Sequence, residues 1–140
     1  MNEMYTERLL DHYRQPRNKG HLDVPDPLTS SAQVLAADEY NPLCGDCVTI
    51  EARVEAGQLV AVRWDGRGCA LCLGAASILT EVAQGRLLAE LEALGQDAFL
   101  AELQSAIRPA RLKCALLPWI AFRRALFGED EWPSVERRDL

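Results

Sequence analysis

The sequence has no apolar run approaching the roughly 18 residues that would span a bilayer, and its first residues lack the basic-then-apolar order of a secretory signal. A cytoplasmic protein with no membrane partner is the expectation. Basic residues are outnumbered, 15 Lys and Arg against 21 Asp and Glu, leaving a net charge of -6 and a pI near 4.9. Phosphate binding is driven by clustered positive charge, so nucleic acid is excluded as the main partner. Internal repeats and low-complexity tracts are lacking too. Cysteine is present but odd in number: five residues cannot all pair within the chain. In a reducing compartment they read as metal ligands, reactive thiols or small buried residues before they read as disulfides.

What remains is an ordinary globular composition, 140 residues with 49% hydrophobic and 26% charged, enough to bury a core in one domain spanning 1–140. Residues 1–31 are expected to form an N-terminal helix and an irregular loop. The helix, over 2–14, follows from Tyr5, Leu9 and Tyr13 at spacing four, and Pro16 ends it. The loop from Pro16 to Ser31 is long enough to suggest mobility or ordering by a partner. Residues 32–40 make a weak strand. Val48, Ile50, Ala52 and Val54 alternate with polar residues, Gly57 turns the chain, and Val60, Val62 and Trp64 alternate again, which predicts an antiparallel hairpin with one buried face. After Gly66-Arg67-Gly68 the pattern becomes helical to about Gln84, and the small residues Gly74, Ala75, Ala76 and Ser77 would let that helix approach the sheet closely. Short helices are expected over 87–94 and 98–107, then a last helix to Phe127. Residues 128–140 form a polar tail in which Trp132 is the one conspicuous residue.

Chemistry concentrates in Asn41-Pro42-Leu43-Cys44-Gly45-Asp46-Cys47. Pro42 holds Asn41 extended, and Gly45 allows a turn tight enough for Cys44 and Asp46 to face one point. Cys69 follows Gly68 at the start of a helix. Pro118 is tolerated only in a first turn, so the last helix should begin near Ala115 with Cys114 at its edge. Helix N-termini favour thiolates, the form needed for metal binding and for sulfur chemistry. Cys44, Asp46, Cys69 and Cys114 thus make a four-donor shell for zinc or for one edge of an iron–sulfur cluster. A carboxylate among thiolates holds such cargo less firmly than four thiolates would. Lys113 offers a counter-charge, although a solvated lysine is the plainer reading. Cys44-x-x-Cys47 with Cys69-x-x-Cys72 has the spacing of a zinc ribbon, an alternative that stays open. Against it, Cys47 opens a strand and Cys72 lies one turn inside an apolar helix. Both read as small, partly buried residues or auxiliary thiols near the site. His12 and His21 read as packing or surface histidines.

Four stretches resemble the IscU/SufU group of iron–sulfur cluster assembly scaffolds, which is similar to the N-terminal domain of NifU. They are Leu10-Asp11-His12-Tyr13 with Pro16-Arg17-Asn18-x-Gly20, Asn41-Pro42-x-Cys44-Gly45-Asp46, Gly66-x-Gly68-Cys69-Ala70 with Ala75-x-Ser77, and Arg111-x-Lys113-Cys114-Ala115 with Trp119. The resemblance implies an α+β fold, a small antiparallel sheet of about three strands with helices packed on one face. It implies ligands Cys44, Asp46, Cys69 and Cys114 for zinc or a [2Fe-2S] cluster. It also implies a pyridoxal-phosphate cysteine desulfurase that delivers persulfide sulfur, with Cys114 as acceptor, and apo iron–sulfur proteins as recipients. A homodimer around a shared cluster is compatible with it. Lys113 stands where the IscU branch has histidine, as in the SufU branch, but the stretch from Cys69 to Cys114 looks too short for the insertion usual in SufU chains. The expected function is cluster assembly, by a scaffold or sulfur carrier rather than a true enzyme. The alternatives are a zinc-dependent sulfurtransferase serving a desulfurase, and the structural zinc ribbon.

Overall fold

A computed structural model describes residues 5–23, 31–42 and 45–128. Cys44, Trp132, residues 1–4, residues 24–30 of the expected loop and the polar tail beyond Gly128 lie outside the described residues, and the first helix, expected over 2–14, begins instead at Glu7 behind its N-cap Thr6. Three strands, β1 (Gln33–Tyr40), β2 (Cys47–Glu55) and β3 (Gln58–Arg67), form one antiparallel sheet in the order β1-β2-β3. The weak strand signal over 32–40 is therefore a real edge strand. Ala56 and Gly57, with φ of 50° and 76°, connect β2 to β3. Two residues with positive φ give the turn whose twist matches that of the strands it joins.

Val48, Ile50, Ala52 and Val54 are buried on one face, as the alternation predicts. In β3 the expectation fails at one residue. Val54 pairs with Leu59 and Arg53 with Ala61, so Val60 is an extra residue, a β-bulge, and Leu59, Val62 and Trp64 are the buried set. A bulge reverses the side-chain alternation, which a strict period of two cannot anticipate.

The helices are α1 (Glu7–Arg14), α2 (Ala70–Ala83), α3 (Leu88–Glu92), α4 (Gln96–Glu102) and α5 (Leu112–Phe127). α5 packs across β1 and β2, α2 packs on β3 and α5, and α1 lies on α2. Ile50, Trp64, Leu71, Ile78, Leu79, Leu116 and Phe122 are fully buried between these layers. Each large apolar side chain so placed contributes on the order of 1.5–3 kcal/mol. Among the described residues no helix is long and apolar enough to cross a membrane.

Three expectations change. Gly74 serves α1 rather than the sheet, because a Cβ there would lie 2.8 Å from Leu9 Cδ1 and 2.9 Å from the Leu9 carbonyl oxygen. α4 ends at Glu102 instead of reaching Ile107: Gln104 turns left-handed (φ 53°), and Ser105 Oγ accepts a bond from the Thr6 N–H at 2.9 Å. α5 begins at Leu112, before the point Pro118 suggested, with a single tight turn over Pro109–Arg111 leading in. Pro118 sits inside that helix, where tertiary burial on the sheet outweighs its local cost.

Residues 15–23 are fixed rather than loose. Trp64 takes the Asn18 carbonyl on its amide at 3.0 Å and the Arg17 carbonyl on its indole N–H at 2.8 Å, and its own carbonyl accepts from Gly20 at 2.8 Å. Ser77 Oγ lies 2.7 Å from His12 Nδ1 and accepts the Arg17 N–H at 2.8 Å, so a buried histidine ties α1 and this segment to α2. Because the Leu9 backbone stands against Gly74, Gly74→Ala must push α1 off α2. It should cost about 1–3 kcal/mol, seen as a lower urea midpoint with an unchanged m value.

Candidate metal centre

The open end of the β2–β3 hairpin builds the site. Gly45, with φ 78°, closes a small loop in which its N–H bonds to the Asn41 carbonyl and the Asn41 N–H to the Asp46 carbonyl, both at 2.8 Å. Asp46 is thereby carried, 5% exposed, onto the helix side of the sheet. Across the hairpin Cys47 pairs with Arg67, so Gly68 emerges opposite Asp46. A Cβ on Gly68 would stand 2.8 Å from both Cγ and Oδ1 of Asp46, so only glycine leaves room for the carboxylate. Cys69 is the N-cap of α2, in extended geometry (φ -73°, ψ 165°). Cys114 comes from the first turn of α5 and is buried.

One donor atom from each of Asp46, Cys69 and Cys114 lies within 4.8 Å of the other two. With Cys69 as a thiol, its Sγ–H donates to Asp46 Oδ2 at 3.6 Å. The thiolate is strongly favoured: the Cys69 pKa falls from 9.0 to about 6. Donation from the Cys114 thiol is the largest cause; the Cys72 backbone N–H and the Arg111 charge act the same way, while burial and the Asp46 charge oppose them. Arg111, despite its own burial, is held above its ordinary range by Cys69, Cys114 and Tyr5. Two soft donors and one hard one, next to a fixed cation, suit a divalent ion or an iron–sulfur cluster edge.

The structure thus brings together three of the four expected donors, and the fourth, Cys44, lies outside the described residues. Arg111 is a charge that acts on Cys69, and Lys113 is half-buried beside Cys114. Arg111 and Tyr5 were missed as site residues, although Arg111 stands three positions before Cys114, one helical turn away. Cys47 and Cys72 do not join the cluster. Cys47 opens into a cleft of about 250 Å³ on the other face of the sheet, with His21, Thr49, Asp65, Gly66 and Arg67. Cys72 is fully buried in the core. The two face different surroundings, unlike the paired knuckles of a ribbon.

The sequence pattern of the NifU-like N-terminal domain matches residues 4–129. This chain belongs to that family. Its NifU-like fold is shared with a crystal structure from Fervidobacterium islandicum, a protein assigned to iron–sulfur cluster assembly in the SUF system, at a TM-score of 0.68 and 23% identity over 88% of this chain and 96% of the other. Among curated relatives, the iron–sulfur cluster assembly scaffold protein IscU of Azotobacter vinelandii is 32% identical over 123 residues, 87% of this chain and 91% of its own length. The zinc-dependent sulfurtransferase SufU of Bacillus subtilis is 24% identical over 93% of this chain and 94% of its own length. That alignment runs over 150 positions, more than this NifU-like chain contains, so the Bacillus protein carries segments absent here.

Since a thiolate and not a thiol is the nucleophile, alkylation of Cys69 by iodoacetamide in metal-free protein should rise with a midpoint near pH 6. Cys114→Ala should move that midpoint upward, and further than Arg111→Gln does. Peptide mapping of the alkylated cysteine across a pH series measures both shifts.

Proposed function

We propose that this chain is an iron–sulfur cluster assembly scaffold that holds its cargo, a labile [2Fe-2S] cluster or a metal ion, through Cys44, Asp46, Cys69 and Cys114. The observation that carries the reading is the convergence of the Asp46 carboxylate with the thiols of Cys69 and Cys114 within 4.8 Å, from three segments distant in sequence. The IscU relative supports the cargo. The donor set fits it as well: sulfur ligands for iron or zinc, and one oxygen that lets go more readily. Sulfur would arrive as persulfide from a cysteine desulfurase, with Cys114 as acceptor, and leave within a cluster passed to apo-proteins. A site that works through reduced thiols suits a reducing compartment, and the cytoplasm is the setting we propose. Residues 1–140 would act as one domain, and a homodimer sharing a cluster fits the same site.

A second reading has specific support. The SufU relative is named for zinc and sulfur transfer, and a thiolate-favouring Cys69 beside Cys114 suits a zinc site that releases one thiolate to act as nucleophile. Metal analysis and the absorption spectrum of anaerobically purified protein separate the readings. A brown protein with visible charge-transfer bands is the scaffold result, whereas zinc alone, with desulfurase turnover raised by added protein, is the sulfurtransferase result.

Asp46 does more than donate an oxygen, because its charge opposes the Cys69 thiolate. Removing it should strengthen the sulfur ligands. Asp46→Ala is expected to keep a reconstituted cluster several-fold longer and to slow its transfer to an apo-ferredoxin; equal or faster transfer would refute the role of Asp46 as the labile ligand.

A further inference from the structure

Cys72 takes no part in the trio around Asp46, yet it is placed against one member of it. Cys69 is the N-cap of α2 and Cys72 the third residue of that helix. An extended N-cap directs its side chain back over the third residue, and the Cys69 sulfur indeed takes the influence of the Cys72 backbone N–H. The Cys-x-x-Cys spacing from the N-cap to the third helical residue puts both side chains at the same end of α2, and a disulfide requires their Cβ atoms to approach to about 3.5–4.5 Å. Their exposures differ in a useful way. Cys69 is half-buried and reachable, whereas Cys72 is fully buried. Neither is in a disulfide.

We propose that Cys69 and Cys72 are a redox-active dithiol, in which Cys69 is attacked or attacks at the surface and Cys72 resolves the product from within the helix. A low-molecular-weight disulfide, RSSR, is the oxidant. The Cys69 thiolate displaces one RS⁻ and becomes a mixed disulfide. The Cys72 sulfur, giving its proton to solvent, then attacks the Cys69 sulfur and displaces the second RS⁻. Two protein thiols are oxidised to one disulfide, and RSSR is reduced to two RSH that take up the two protons. On the proposed function, this removes Cys69 from the ligand set and so releases the cargo under oxidation. The disulfide itself does not depend on that reading.

The site lends itself to a direct test, since trypsin isolates residues 68–86, which hold both Cys69 and Cys72, from residues 114–123, which hold Cys114. Metal-free protein is treated with glutathione disulfide and mapped by mass spectrometry without reduction. The expected product is peptide 68–86 lighter by two hydrogens. In a Cys114→Ala background, which removes the other thiol within reach of Cys69, adding Cys72→Ala should instead leave a glutathione adduct on Cys69, and an unchanged far-ultraviolet circular dichroism spectrum shows that the fold is kept. A stable adduct in the unaltered protein, or a cross-link from 68–86 to 114–123, overturns the proposal. Zinc is then added to the oxidised and the untreated samples, and its binding is compared. A disulfide that forms without loss of zinc binding upholds the dithiol and refutes Cys69 as a ligand.

Discussion

Everything at the metal centre depends on the register of one hairpin. Beyond the bulge the pairs run Arg53 with Ala61 through Cys47 with Arg67, so the next residues out are Asp46 and Gly68. Were Val60 paired with Arg53 in a regular ladder instead of bulged, Cys47 would face Gly66 and Asp46 would face Arg67. The carboxylate would then meet a long side chain instead of the gap Gly68 leaves. A slip of one residue sends side chains to the opposite face of a sheet, so it would also turn the buried Val62 and Trp64 of β3 away from the helices that supply the thiols. The bulge lies at the turn end and the site at the open end, and the strand between transmits the correction rigidly.

Once Asp46 and Cys69 are side by side, charge becomes the problem. A carboxylate and two thiols crowded together would repel as anions, and desolvation makes it worse. The chain answers with donors and a cation rather than with distance. Cys69 sits at the helix terminus whose amides favour a negative sulfur, Cys114 donates to it, and Arg111 faces both. Tyr5, just ahead of α1, also meets Arg111. The Gly74 contact and the His12–Ser77 bond therefore have a consequence beyond stability, because they hold in place the segment that carries a residue of the Arg111 environment.

What could be read from the chain followed local rules, and what could not was decided by tertiary contacts. The alternation of Val48 to Val54, the Gly57 turn and the cysteine at the head of α2 are local, and they stand as expected. The bulge at Val60 has no mark in a sequence where Val60, Val62 and Trp64 already alternate. Pro118 gave a sound local argument for a late start to α5, but ten of that helix's side chains are buried, enough to carry a proline in its interior. Lys113 is the nearer cation to Cys114 along the chain, yet Arg111 also interacts with both thiols, since a helical turn brings position three back to the same side. Nothing local announces that Tyr5 would meet it.

The mixed donor set has a physical logic that links geometry to release. A site of four thiolates at two helix ends would bind iron or zinc firmly and give it up slowly. In the proposed scaffold, Asp46 in place of a fourth sulfur would weaken the hold twice, once through the harder oxygen and again through a charge that raises the cost of the neighbouring thiolate. The Gly68 gap keeps that carboxylate close enough for the second effect to operate. Arg111 works in the other direction, and the balance between one fixed anion and one fixed cation sets how much thiolate Cys69 offers. Lability in the proposed scaffold would therefore follow from the paired charges around one sulfur.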